Sequence, residues 1–230
     1  MYRLPVLTDI QNELMYNLKI LSSGITNTST QYKQLAKKHW DAIAKPLDSL
    51  GEFERIFQKL SAIFESEIPV IDKKCITVMC SDNGVVEEGI SQSGKEVTLA
   101  VAKSMALGTS SISVLCRSCA SDLMVIDIGI DSFDSDIYSM GVINHKLMHG
   151  TNNFVKEKAM PPDICLRAVL SGIEIVENLK SKGVNIIGTG EMGIGNTTTS
   201  SALSSALLNL PVANVTGRGA GLNDIKLQRK

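Results

Sequence analysis

The sequence predicts an α/β fold, a doubly wound parallel sheet with a small amino-terminal helical domain, on three observations. Lys74–Cys80, Leu123–Ile130 and Val184–Ile187 are short apolar runs rich in β-branched residues, the pattern of strands buried on both faces. Lys95–Cys119 and Asp163–Lys182 lie between them with apolar residues at helical spacing, so strand and helix alternate and helices cover both sides of the sheet. Residues 1 to about 70 look helical instead, which divides the chain into a helical region, 1–70, and a nucleotide-binding α/β domain, 71–230.

Each element has a local reason. Gln31–Ile43 and Glu52–Phe64 carry helical apolar spacing, and Lys45-Pro46-Leu-Asp-Ser-Leu-Gly51 separates them as Pro and Gly do. The first strand runs into Ser81-Asp-Asn-Gly84, a change to loop chemistry. Sheets of this class gather ligands at the carboxyl ends of their strands, where Asp82, Asp131 and Glu191 are expected to converge on one rim. The nine methionines read mainly as core filling.

Composition narrows the function. In 230 residues, 43% are hydrophobic, enough for a packed core, and the formal net charge is −1 with lysines scattered, so no footprint for nucleic acid or an anionic membrane appears. A small-molecule partner is expected. Met1-Tyr-Arg-Leu-Pro lacks a charged-then-apolar leader, and no apolar run is read as reaching the about 20 residues that span a bilayer. The five cysteines are odd in number, and the cytoplasm is the expected compartment. Cys116-Arg-Ser-Cys119 has the spacing of half a zinc site, but no second Cys or His pair accompanies it. His145 and His149 lack a third ligand and read as loop residues. No metal and no cofactor is implied.

Gly188-Thr-Gly-Glu-Met-Gly-Ile-Gly-Asn-Thr-Thr-Thr199 joins the third strand to a small-residue helix, Thr197–Leu208, that starts near Asn196. Glycines 190, 193 and 195 permit close backbone approach, and the unpaired N–H groups of the first helical turn carry partial positive charge, so this turn reads as a phosphate cradle. It reads equally as an ordinary turn whose Asn196 and Thr197 cap the helix. The lysine-bearing phosphate loop and the dinucleotide fingerprint are both absent, which argues against a kinase or a dehydrogenase.

Several motifs in order carry a resemblance: Lys45-Pro46 with Ser49-Leu50-Gly51, Asp82-Asn83-Gly84 through Gly89, Lys95-Glu96-Val97-Thr98, Val125-Ile-Asp127-Ile-Gly129, Gly190 through Thr198, and Gly217-Arg-Gly-Ala-Gly221. From about residue 40 to Lys230 the chain resembles the nicotinate-nucleotide:dimethylbenzimidazole phosphoribosyltransferases. The resemblance implies transfer of the phosphoribosyl group of nicotinate mononucleotide to a lower-ligand base of cobalamin or a related cobamide, with nicotinate released. It also implies a homodimer. Nicotinate bound to ribose is already a pyridinium and leaves without protonation. The protein must therefore hold the phosphate, support a sugar carbon gaining positive charge, and accept the proton of the incoming base. By the resemblance, Gly190, Gly193, Gly195, Asn196, Thr197 and Lys230 hold phosphate and ribose. Glu191 is the catalytic carboxylate, with capping of the next helix as its alternative. No pyrophosphate leaves, so no Mg²⁺ is needed to hold one.

Departures from the family qualify this. The family's general-base glutamate and further strands lie beyond the position of Lys230. A shortened chain, one subunit of a two-chain enzyme, and a nucleotide-binding carrier or regulatory subunit without turnover all fit, and at most trace transferase activity is expected of these residues alone. Asp82-Asn83-Gly84 stands where the family commonly has Asp-His-Gly. Asp82, Gly84, Ser93, Val101 and Met192 are the expected base-site residues. With Val101 in place of a polar amide and Met192 in place of Leu, the pocket is expected to admit other bases, phenols included, unless both are core residues behind it.

Overall fold

The computed structural model describes residues 8–230, so the amino-terminal residues read above for a leader, Met1–Pro5, lie outside the described part. Contacts divide the chain into two compact units, one of residues 16–72 and one of residues 73–230 together with the start of the first helix, α1 (Asp9–Ser23).

In the smaller unit α2 (Thr30–Ala42) packs on α3 (Glu52–Phe64). Ser29 starts α2 by accepting the Tyr32 N–H on its side chain. Trp40 meets Phe53 and Phe57 edge-on, with ring centroids 5.8 and 5.2 Å apart. The connecting turn is closed from inside: buried Glu54 accepts from Lys45 Nζ at 2.8 Å and from the Leu50 N–H at 3.1 Å. The Lys45 ammonium beside it holds the Glu54 carboxyl below the usual carboxylate range.

The larger unit contains a four-stranded, all-parallel sheet in the order β3-β2-β1-β4. Its strands are β1 (Lys74–Ser81), β2 (Ser121–Gly129), β3 (Ile143–Asn144) and β4 (Ile186–Met192). Side chains alternate across the sheet. Val78, Cys80 and Val125 face Ala102 and Met105 of α4 (Glu96–Ala106), with Ile112 of α5 (Ser111–Ser118) beside them. On the other face, Cys75 and Ile126 meet Ile175 and Leu179 of α7 (Pro162–Ser181). Helices therefore cover both faces, as expected. Ile126 and Ile130 are fully enclosed, each contributing about 1.5–3 kcal/mol through burial.

Three element expectations are corrected. Lys95–Cys119 is two helices rather than one, because Ser110 caps a new start by accepting the Ser113 N–H at 3.3 Å. By composition Glu96–Ser118 does hold 23 residues apolar enough to cross a membrane, contrary to the sequence reading. Helices of 11 and 8 residues are nevertheless each too short for the about 20 a span requires. The strand expected at Val184–Ile187 begins at Ile186 and continues to Met192, so Gly188 and Gly190 are strand residues and the turn is confined to Gly193–Gly195. The two-residue β3, preceded by α6 (Asp136–Ser139), was not anticipated.

Candidate active site

The chain leaves β1 toward β2 on one side and returns at β4 on the other, so the strand order reverses between β1 and β4. In open α/β sheets this switch point is where a crevice forms. Two loops meet there, Asp82–Gly84 after β1 and Gly193–Gly195 after β4, the latter opening α8 (Asn196–Leu208). Gly193 is buried so tightly that a Cβ would stand 1.9 Å from the Ser81 carbonyl oxygen, and Gly195 has φ 89°. Neither position accommodates a larger residue without backbone movement.

The first turn of α8 corrects the expectation of unpaired amides. Asn196 N–H donates to Gly193 O at 3.1 Å, Thr197 N–H to the Asn196 side chain at 2.8 Å, and Thr198 N–H to Gly195 O at 3.0 Å. Short-range bonds absorb them because the turn is tight. Among the described residues the Gly195 N–H has no acceptor, and the Thr197 bond is to a side chain that can swing aside. Asn196 and Thr197 do not cap the helix in the expected manner; left-handed Gly195 occupies the cap position with no side-chain bond.

Lys230 completes this corner from α10 (Asp224–Arg229), donating from Nζ to Thr197 Oγ1 at 2.7 Å and to Gly217 O at 3.0 Å. Burial lowers the Lys230 pKa below the ordinary lysine value. Gly195, Asn196, Thr197 and Lys230 line one cavity of about 70 Å³ with Ser91, which no motif singled out, and Arg218, which lies in the Gly217–Gly221 motif but was given no site role. The buried Thr198 hydroxyl, without a hydrogen-bond partner, lines a neighbouring space of about 540 Å³ that also touches Lys230.

Glu191 is exposed, and its carboxylate accepts from Asn196 Nδ2 at 2.5 Å, so the first residue of α8 orients it. Gly190, Glu191, Met192 and Val101 line one mainly apolar groove of about 390 Å³ over Ile76 and Met105. The expected three-carboxylate rim forms only in part. Asp82 Oδ2 accepts the Asp131 N–H at 2.8 Å, but Glu191 lies level with Met79, below that end of β1. Asp82, Gly84 and Ser93 line neither cavity. Asp82 is 1% exposed, Gly84 is packed under Thr151–Asn153, and Ser93 folds onto Ser91 Oγ.

Burial raises the Asp82 pKa above the usual carboxylate range, and neighbouring Asp131 adds to the shift. The folded protein therefore keeps this proton to a higher pH than the unfolded chain, so stability falls as pH climbs from the ordinary carboxylate value through the raised one. Asp82→Asn is expected to remove that slope. Thermal melts across this range should show the variant gaining on the parent as pH rises, and a pH-independent gap would count against the burial argument.

A family model for phosphoribosyltransferases matches residues 25–230, and the chain belongs to that family. Among curated relatives, the nicotinate-nucleotide–dimethylbenzimidazole phosphoribosyltransferase of Acetivibrio thermocellus is 45% identical over 196 residues, 85% of this chain and 55% of that protein. The protein of that name from Clostridium acetobutylicum is 42% identical over 214 residues, 93% of this chain and 60% of its own length. A crystal structure of CobT from Thermus thermophilus superposes with a TM-score of 0.82 at 32% identity, covering 86% of this chain and 59% of that one. The chain thus spans well under two thirds of the length of the relatives it matches.

Proposed function

We propose that this chain carries the nucleotide-binding part of an enzyme that moves the phosphoribosyl group of nicotinate mononucleotide onto a lower-ligand base, forming α-ribazole 5′-phosphate from dimethylbenzimidazole and releasing nicotinate. One observation carries the reading within this family: the first turn of α8 holds the Lys230 ammonium through Thr197 and orients the Glu191 carboxylate through Asn196, the residue before it. A 5′-phosphate on Gly195, Asn196 and Thr197 displaces the Asn196 side chain from the Thr197 N–H and gains the Gly195 N–H and the Lys230 charge. Gly190 and Gly193 keep the strand end and turn low enough for that approach. Glu191, level with Met79, then faces the ribose, where its charge supports the cationic sugar carbon as nicotinate leaves.

The apolar groove beside Glu191 takes the acceptor ring, with Val101 and Met192 as its walls. It offers few polar groups, which supports acceptance of purines and phenols as well as benzimidazoles. Asp82, Gly84 and Ser93 act on that site from behind, by fixing the loop after β1. The strand order matches the first four strands of a Rossmann-like sheet, and we assign the protein a cytoplasmic homodimer.

Calorimetric titration of the chain with nicotinate mononucleotide is expected to give saturable binding that Lys230→Ala weakens about tenfold. Glu191→Gln should leave affinity within about threefold yet slow nicotinate release about a hundredfold wherever turnover is measured. Failure to bind the nucleotide overturns the reading. Binding with no release assigns recognition to these residues and chemistry to others, the carrier or regulatory-subunit alternative.

A further inference from the structure

The Gly193–Gly195 turn is closed by its own Asn196 N–H to Gly193 O bond but is also held from outside. Its middle residue, Ile194, is bonded on both main-chain groups by side chains from other elements. Thr98 Oγ1, on α4, accepts the Ile194 N–H at 3.1 Å, and Asn83 Nδ2, in the loop after β1, donates to Ile194 O at 3.2 Å. Asn83 is itself oriented, because Thr199 Oγ1 donates to its Oδ1 at 2.8 Å and so turns its amide nitrogen toward Ile194.

The consequence follows from peptide geometry. Ile194 C=O and Gly195 N–H belong to one planar trans peptide and point in opposite directions. Fixing the carbonyl on Asn83 therefore aims the Gly195 N–H away from that side chain, and this is the amide at the mouth of α8 that has no acceptor among the described residues. Gly195, at φ 89°, has the backbone freedom that lets an unrestrained peptide turn over. We propose that Asn83 is the positioning residue of the phosphate cradle, locking the 194–195 peptide so that the Gly195 N–H faces the anion, with Thr199 setting the Asn83 amide and Thr98 pinning the preceding one. This rests on the nucleotide-binding reading and adds to it a residue that touches no substrate.

The test follows backbone amides of the 230-residue chain by ¹H–¹⁵N NMR during titration with inorganic phosphate and then nicotinate mononucleotide. In the parent chain the Gly195 amide is expected to move downfield and saturate with each ligand. Asn83→Ala should abolish the Gly195 response and weaken both ligands about tenfold or more, as loss of one amide bond to an anion implies. Thr199→Val, which leaves Asn83 in place, should reproduce the effect in part, and Thr199→Ser should restore it. Melting curves recorded alongside separate folding from aim: a residue that only stabilises the fold lowers Tm while the folded fraction keeps its Gly195 response. Retention of that response and of affinity within about twofold in Asn83→Ala, or in Thr199→Val should the first variant not fold, overturns the proposal while the nucleotide reading stands. A parent chain whose residues 195–197 respond to neither ligand overturns both.

Discussion

Gly193→Ala is expected to abolish nucleotide binding and to lower stability by about 3 kcal/mol, a fall in Tm of roughly 6–12 °C for a chain of this size. The added methyl would lie 1.9 Å from Ser81 O and 2.9 Å from Asn83 Nδ2. The first of these is main chain at the end of a central strand, so no side-chain rotation relieves the clash; β1 and the turn after β4 must part. That movement separates Asn83 from Ile194 O, and the cradle loses its geometry together with its packing. Gly217→Ala is the matched control. It lies near the same cavity, yet a methyl there meets nothing within 4 Å, and its effect should stay within about 0.5 kcal/mol. Differential scanning calorimetry and nucleotide titration of the two variants decide the matter; equal losses would mean that the close approach at Gly193 is not what the turn depends on.

The same contrast explains which parts of this molecule the sequence made legible. Glu52–Phe64 and the start of β1 at Lys74 were readable to the residue, because turn residues and periodicity mark them locally. The end of β4 was not. Gly188 and Gly190 look like turn residues, but they serve close packing inside the sheet, where a Cβ at Gly188 would meet Ile76 Cδ1 at 2.4 Å. β3 had no pattern to read, since it exists only through pairing of Ile143 and Asn144 with Ile126 and Asp127. At the candidate site, Gly195, Asn196 and Thr197 stood out as neighbours in one motif, and Lys230 through the family resemblance. Asn83 was noted only as a departure from that family. Its partners Ile194 and Thr199 lie 111 and 116 positions away, a distance at which no spacing rule operates.

Asp127→Ala is expected to cost about 3–5 kcal/mol without weakening nucleotide binding, and the separation of those two effects follows from position. The Asp127 carboxylate is fully buried and bonded on both oxygens. Oδ1 takes the Gly129 and Ile130 N–H groups at 3.0 and 2.8 Å, while Oδ2 takes the Tyr138 hydroxyl at 2.9 Å and lies 3.3 Å from Lys146 Nζ. It thus closes the end of β2 and ties α6 and the segment after β3 to it. Truncation strands the two buried amides, takes the acceptor from the half-buried Tyr138 hydroxyl and removes the carboxylate facing Lys146, losses that accumulate within one network. Asp127→Asn should cost less, since its carbonyl still accepts the amides and the Tyr138 oxygen can accept from the new NH₂. Tyr138 supplies a second readout. Burial and the hydrogen bond to Asp127 push its pKa from 10.0 up to about 12, so the folded state holds the phenolic proton longer and stability falls as pH rises through that interval. Removing the carboxylate should bring the Tyr138 titration, followed by ultraviolet absorbance, back toward the ordinary value. This network belongs to the β2–β3 side of the sheet, whereas Asn83, Thr98 and the α8 turn belong to the β1–β4 side. The folded fraction of Asp127→Ala should therefore bind nicotinate mononucleotide with affinity within about threefold of the parent. A larger loss would mean that the two ends of the sheet act as one unit and that the cradle's rigidity is set by β2 as well as by Asn83.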